Sequence, residues 1–245
     1  MAATAAQKVL VTGGAAGIGA AIVRGFRAKG FAVVFCDRDE ATGSALAHDV
    51  QATFVAMDVT DEAAIDALFV RHGPFSVLVN NVGADQHAFF TQTTKDDWRK
   101  LLSLNLETTF AFSLKALPAM QAAGYGRIVN IASEAGRLGS KGGSVYAAAK
   151  AGVVGFTKSI ARENARYGIT CNAVLPGPIR TPMVAKGIAE FGAKLEQDMA
   201  NLTLVRRIGE PEEVAAAVTF LGSPEASFIT GEALGVSGGM GCGAG

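Results

Sequence analysis

Short apolar runs alternate along the chain with longer stretches in which apolar residues recur three and four positions apart. Lys8–Thr12 (KVLVT), Ala32–Cys36 (AVVFC), Ala52–Met57 (ATFVAM) and Ser76–Asn80 (SVLVN) read as buried strands. So do Gly126–Ser133 (GRIVNIAS), Ile169–Leu175 (ITCNAVL) and Glu232–Ser237 (EALGVS). Between them, Gly17–Lys29, Asp61–Arg71, Lys95–Ala122 and Ser144–Arg166 carry the period of amphipathic helices. Strands apolar on both faces, each followed by a helix, belong to a parallel sheet covered on both sides. The pattern therefore predicts an α/β fold, a single doubly wound domain over residues 1–245 with a seven-stranded parallel sheet and helices on both faces.

One stretch breaks the rhythm. Pro176-Gly177-Pro178 and Thr181-Pro182 open a helix-like excursion that closes before Glu210-Pro211 starts another helix. An insertion after a strand's C-terminal end lies where such sheets bind ligands, so residues 178–207 are expected to form a substrate lid, the alternative being an ordinary surface excursion.

Composition narrows the function classes. Hydrophobic residues make up 49% of the 245 and charged ones 18%, far too apolar for disorder. Lys and Arg total 22 against 22 Asp and Glu, a balance that disfavours nucleic acid and anionic membrane surfaces as partners. Cys36, Cys171 and Cys242 are widely spaced and form no Cys-x-x-Cys pair, so neither a disulfide framework nor a metal site is expected. Met1–Gln7 lacks the basic start and cleavage pattern of a secretory signal, and no apolar run reaches membrane-span length. A reducing, cytoplasmic location is the simplest reading.

Directly after the first predicted strand comes Thr12-Gly13-Gly14-Ala15-Ala16-Gly17-Ile18-Gly19, running into a helix. Glycines let the backbone approach a pyrophosphate, while the helix N-terminus offers unpaired N–H groups to its charge. No Lys-Ser/Thr follows, so this is not a Walker loop. Asp37 ends the second strand. A carboxylate there accepts hydrogen bonds from the adenosine ribose and repels a 2′-phosphate, which favours NAD over NADP. Arg38 beside it works against that repulsion, and the competing reading of Asp37 is a helix N-cap.

Tyr146 and Lys150 stand four apart on a predicted helix, so they share a face. An ammonium near a phenol stabilises the phenolate and lowers its pKa towards the range useful for proton exchange. Ser133 closes a predicted strand at the edge where the sheet presents its ligand site, and its hydroxyl suits a substrate carbonyl.

In this order and spacing, Thr12–Gly19, Asp58-Val59, Asn80-Asn81-Val82-Gly83, Asn105, Ser133, Tyr146-Ala-Ala-Ala-Lys150, Pro176-Gly177 and Ile179-Arg180-Thr181 resemble the short-chain dehydrogenases/reductases over essentially the whole chain. The resemblance implies a Rossmann domain and an Asn105–Ser133–Tyr146–Lys150 tetrad working with a nicotinamide cofactor. Tyr146 would be the general acid/base, Ser133 would orient the carbonyl or alcohol, Lys150 would bind the nicotinamide ribose and depress the phenol, and Asn105 would hold a relay water. Gly13, Ala16, Gly17, Ile18 and Gly19 would bind the pyrophosphate, Asp37 and Arg38 the adenosine ribose, and Asp58 and Val59 the adenine. Asn81, Val82 and Gly83 would line the cleft, Pro176 and Gly177 would bind the cofactor, and Ile179 and Thr181 would meet its carboxamide. Val82 departs from the family's usual alanine, which adds two methyl groups beside the cofactor.

Residues expected to shape the substrate pocket are Gln86, His87, Ser133, Glu134, Arg137, Lys141 and Met183. For His87 a surface-loop reading outweighs that of an accessory acid. Two branches of the family are similar: the alicyclic 2-hydroxyacyl-CoA and cyclic-alcohol dehydrogenases, and the 3-oxoacyl carrier-protein reductases, which typically use NADPH. Asp37 favours the first, so the expected activity is hydride transfer between NAD(H) and a secondary alcohol or ketone, cyclic or hydroxyacyl. The alternative is an NADPH-dependent 3-oxoacyl carrier-protein reductase. A non-catalytic nucleotide-binding module is disfavoured by the intact tetrad, and a hydrolase by the lack of a Gly-x-Ser-x-Gly elbow. The family likeness also implies a homotetramer.

Overall fold

The computed structural model describes residues 7–242. The expectations of no secretory signal at 1–7 and of one domain over 1–245 extend into residues 1–6 and 243–245, outside the described ones.

Seven strands form one parallel sheet: β1 Lys8–Thr12, β2 Ala32–Asp37, β3 Thr53–Ala56, β4 Val77–Asn80, β5 Gly126–Ile131, β6 Ile169–Pro176 and β7 Ala233–Val236. Their spatial order is β3-β2-β1-β4-β5-β6-β7. The direction of winding therefore reverses between β1 and β4, where Val9 pairs with Val33 on one side and Val77 on the other. Such a switch point opens a crevice beyond the strands' C-terminal ends.

Helices α1 Gly17–Ala28, α2 Glu40–Val50, α3 Glu62–His72, α4 Lys95–Leu102, α5 Thr108–Ala123, α6 Ala135–Leu138, α7 Ser144–Asn164, α8 Pro182–Phe191, α9 Ala193–Asn201 and α10 Pro211–Leu221 follow in chain order. Burial divides into two layers, one on each sheet face. Ile22, Val23 and Phe26 of α1 pack with Val214, Val218 and Leu221 of α10 on one side. Ile65 and Leu68 of α3, Phe112 and Met120 of α5, and Ile160 of α7 pack on the other. The central strands are buried on both faces, which is why they read as unbroken apolar runs.

Three elements differ from the pattern-based expectation. Helix α2 carries only Gly43 and Leu46 as buried residues, so its apolar period is too sparse to read, although Asp39 caps it by accepting from Thr42 N–H. The single helix expected over Lys95–Ala122 is α4 and α5 joined by a π-helical turn, Ser103–Glu107. Within that turn Asn105 donates to the Leu101 carbonyl at 3.0 Å, and Thr108, which opens α5, donates to the Leu104 carbonyl at 2.8 Å, so side chains stabilise the altered ladder. Strand β5 ends at Ile131, so Ser133 does not close it. The serine lies in the following turn, where its hydroxyl accepts from Ala135 N–H at 3.1 Å.

Candidate active site

Beyond the C-terminal ends of β4, β5 and β6 lies a cleft of about 450 Å³ that brings Ser133, Tyr146 and Lys150 together with Asn81, Gly83 and Thr181. A wider, open groove of about 560 Å³ between α5 and α7, around Leu117, Arg162 and Tyr167, holds none of these groups.

The tetrad's geometry follows from local hydrogen bonding. Gln86 is buried, and its side-chain oxygen accepts from Val145 N–H at 2.9 Å and Tyr146 N–H at 3.2 Å. It therefore caps α7 and fixes the start of the helix that carries the tyrosine. One turn later Lys150, 3% exposed, donates to the Ile131 carbonyl at 3.0 Å. Asn105 is fully buried in the π turn, donates to the Ala84 carbonyl at 2.9 Å and accepts from Ala84 N–H at 3.2 Å. That exchange pins the backbone after β4 across the cleft. Gly83 sits between: a Cβ there would lie 2.7 Å from Asn105 Oδ1 and 3.0 Å from Lys150 Nζ. Only glycine leaves both groups where they are.

Burial dominates the electrostatics of the pair. Burial pushes the Tyr146 phenol above its ordinary value; the Ser133 hydroxyl acts in the lowering direction and Asp85 in the raising one. Burial also drives the Lys150 ammonium down to about 8, opposed by Asp85. The lysine Nζ lies 5.8 Å from the tyrosine ring centroid and spends a proton on the Ile131 carbonyl. Desolvation is the leading influence on both groups.

Between β1 and α1, Gly13 and Gly17 adopt φ +65° and +52°. A Cβ on Gly19 would come 2.0 Å from the Gly13 carbonyl oxygen, and one on Gly13 3.0 Å from Val82 Cγ2. Val82 thus packs its extra methyls onto the glycine turn without displacing it. Asn81 ties the same turn to β4 by donating to the Thr12 and Gly13 carbonyls at 3.1 and 2.9 Å. Helix α1 starts at Ala16–Gly17 with no side-chain cap and no acid in its first turn, so its leading N–H groups carry unopposed partial positive charge. A cradle of this form fits a dinucleotide pyrophosphate.

Asp37 is not a helix cap; Asp39 takes that place. The Asp37 carboxylate instead accepts from Ala15 N–H and Asp39 N–H, both at 3.1 Å, at the edge of the glycine turn. Exposed Arg38 acts electrostatically on Asp58, whose carboxyl is held low chiefly by Thr60 N–H and hydroxyl donors. Val59 beside it is buried. Gly177 abuts β7, where a Cβ would meet Ser237 Cα at 2.9 Å. Pro176, Gly177, Ile179, Thr181 and Ile18 all reach the cleft, and Thr181 caps α8 by accepting from Val184 N–H at 3.3 Å.

Of the substrate candidates, Met183 lines the cleft from α8 and Ser133 faces it. His87 does not reach it: its side chain is 78% exposed, with Nε2 3.9 Å from Asp85. Glu134 borders the cleft but is 1% exposed, its carboxylate engaged by Ser237 and Arg137. Gln86, expected to shape the pocket, caps α7 instead, and the place of Asp85 on the cleft wall escaped the sequence.

A family model described as enoyl-(acyl carrier protein) reductase matches residues 13–241. The chain belongs to the short-chain dehydrogenase/reductase family, and it is an oxidoreductase of that family acting on hydroxyl and keto groups. It is 39% identical to a 3-oxoacyl-[acyl-carrier-protein] reductase of Vibrio harveyi over 94% of this chain and 96% of that one. An acetoacetyl-CoA reductase of Shinella zoogloeoides is 40% identical over 94% and 97%. Among solved structures, an actinorhodin polyketide ketoreductase with NADPH superposes with a TM-score of 0.91 at 35% identity, covering 99% of this chain and 100% of that one.

Proposed function

We propose that this protein interconverts a 3-oxoacyl thioester and the corresponding 3-hydroxyacyl thioester with NAD(H). The observation that carries the chemistry is the meeting of Ser133, Tyr146 and Lys150 on one cleft wall, directly beside Asn81 and Gly83. Similarity to reductases of a 3-oxoacyl carrier protein and of acetoacetyl-CoA supports the substrate class, a ketone β to a thioester.

A bound nicotinamide dinucleotide supplies the hydride acceptor or donor at the substrate carbon. Gly13, Ala16, Gly17, Ile18 and Gly19 present backbone to its pyrophosphate, and Asp37 receives the adenosine ribose. Asp58 and Val59 flank the adenine, and Ile179 and Thr181 face the carboxamide. Ser133 donates a hydrogen bond to the substrate oxygen and holds the charge that develops there. Tyr146 gives its phenolic proton to that oxygen in reduction and takes it back in oxidation. The raised phenol keeps Tyr146 protonated in the resting site, which suits reduction. Lys150 holds the nicotinamide ribose, and Asn105 holds the backbone that carries Gly83. Residues 178–207 cover the cleft as a lid, with Met183, Met199 and Leu202 as its apolar face.

A second reading, an NADPH-dependent 3-oxoacyl carrier-protein reductase, is favoured by the relative solved with NADPH. Against it stands the Asp37 carboxylate at the ribose position, with Arg38 as the adjoining cation. The exposed apolar side chains of Phe110 and Leu114 on α5, beside Phe156 of α7, support self-association as a homotetramer. No helix among the described residues is long and apolar enough to cross a membrane, and three free cysteines support a reducing, cytoplasmic compartment.

The test is a nicotinamide-absorbance screen of acetoacetyl-CoA, a longer 3-oxoacyl-CoA and a set of cyclic ketones with NADH and NADPH. Turnover of the thioesters with NADH is expected. Turnover confined to cyclic ketones, or to NADPH, contradicts the reading.

A further inference from the structure

Glu134 follows Ser133 directly and is 1% exposed, an unusual place for a carboxylate. Its Oε1 accepts from the Ser237 hydroxyl at 2.9 Å. Its Oε2 has no hydrogen-bond partner and faces Arg137 Nη1 at 3.4 Å. Two glycine backbones press against the carboxylate: a Cβ on Gly235 would lie 2.6 Å from Oε1, and one on Gly241 2.7 Å from Oε2. The backbone N–H of Glu134 donates to the Pro176 carbonyl at 3.1 Å, and Arg137 donates to the Ala233 carbonyl at 2.8 Å. Residues 134–137 are thus tied to the end of β6, to the start of β7 and to Ser237 just beyond it.

The connection continues beyond Ser237. Gly238 and Gly239 adopt φ +60° and +83°, turning the tail back towards the excursion after α9. There the Gly238 carbonyl accepts from Leu204 N–H at 2.8 Å and Val205 N–H at 3.2 Å. Met240 of the tail and Leu202 of the excursion both line the cleft. An uncapped bend of small residues holds such a shape only if something fixes its root.

We propose that Glu134 is a positioning residue: through Ser237 it anchors the C-terminal tail, and through the tail it sets the lid arm and the apolar wall against which the substrate packs. It touches neither substrate oxygen nor cofactor. Removing the carboxylate frees the Ser237 hydroxyl, opens a space between Gly235 and Gly241, and lets the tail and residues 200–207 move together. The wall's role towards substrate rests on the thioester reading above; the anchoring does not.

The experiment is amide hydrogen exchange on the full chain, comparing the wild type with Glu134→Ala, Glu134→Gln and Ser237→Ala. Loss of a buried bond to a charged acceptor is expected to speed exchange in the 200–207 segment about tenfold in Glu134→Ala and Ser237→Ala. The glycine turn at 12–20 is expected to keep its protection. Glu134→Gln retains the side-chain volume and an acceptor for Ser237, so it is expected to restore most of the protection. In Glu134→Ala and Ser237→Ala the KM for a long 3-oxoacyl-CoA should rise at least fivefold while the KM for NADH stays within about twofold, as expected when a positioning contact about that strong is lost. Unchanged exchange at 200–207 overturns the proposal, as does equal loosening of 12–20, which marks general destabilisation. Should Glu134→Ala fail to fold, Ser237→Ala removes the same bond by deleting one hydroxyl. If the wild type turns over no thioester, the substrate reading fails while the exchange result still decides the anchoring.

Discussion

Asp37→Asn is the substitution that isolates cofactor choice. Asn has nearly the same shape and keeps an acceptor for the Ala15 N–H, which lies 3.1 Å from the carboxylate. What disappears is the charge. Two unit charges about 4 Å apart repel by about 1 kcal/mol in bulk water and about 4 kcal/mol at an effective dielectric of 20. Asp37 sits half-buried at a solvent-facing edge with exposed Arg38 next to it, so the lower part of that range applies, about 1–2 kcal/mol against a 2′-phosphate. A ribose hydroxyl bonded to a charged acceptor contributes about 1.5–3 kcal/mol more in favour of NADH. Together these give a wild-type preference for NADH of roughly a hundredfold to a few thousandfold in kcat/KM. Asp37→Asn removes the repulsion and weakens the ribose bond, so the preference should fall at least about tenfold. The assay is kcat/KM for both cofactors with one ketone, alongside a thermal melt to verify that the fold survives. A wild type that prefers NADPH, or a ratio that does not move on substitution, refutes the assignment of Asp37.

Two further outcomes follow from the cleft. Gly83→Ala places a methyl 2.7 Å from Asn105 Oδ1 and 3.0 Å from Lys150 Nζ, and should lower kcat at least tenfold at a stability cost of about 1–3 kcal/mol, read by turnover and chemical denaturation. Lys150→Met should abolish most activity yet leave the melting temperature at neutral pH equal or higher, because a desolvated ammonium is removed from a buried site. Its pH dependence has a definite sign. The native lysine releases its proton near 8, ahead of an ordinary lysine at 10.5, so wild-type stability gains as pH rises between those values. The variant lacks that gain, and any stability advantage it holds should shrink across the same window; a constant difference from pH 7 to 10, roughly the span between the two values, contradicts the burial argument.

The fold was legible because a parallel sheet covered on both faces writes its strands as apolar runs, and all seven runs, from KVLVT to EALGVS, map onto strands within about two residues of their ends. Helix α2 was not, because Gly43 and Leu46 alone face the core. The π turn at Ser103–Glu107 was not, because it depends on where the Asn105 and Thr108 side chains place their hydrogen bonds. Tyr146 and Lys150 were legible as a spacing and Ser133 as a hydroxyl just past a strand, and the cleft brings them together. Their electrostatics were not: spacing suggested a lysine that lowers the phenol, whereas burial of both groups decides the direction. Gln86 and Glu134 looked like pocket residues because they follow strand ends. Each is instead consumed by backbone or tail contacts about 60 to 100 positions away, which no local pattern encodes.

The most direct test of the central claim is nicotinamide absorbance in single-turnover reduction of acetoacetyl-CoA by wild type and Tyr146→Phe, with NADH binding followed in parallel by fluorescence. If the phenol delivers the proton, Tyr146→Phe binds NADH within about twofold of wild type and loses at least a thousandfold in the rate of reduction, roughly 4 kcal/mol of barrier. A variant that reduces the thioester at a rate near the wild type's, or a wild type that does not reduce it at all, contradicts the claim.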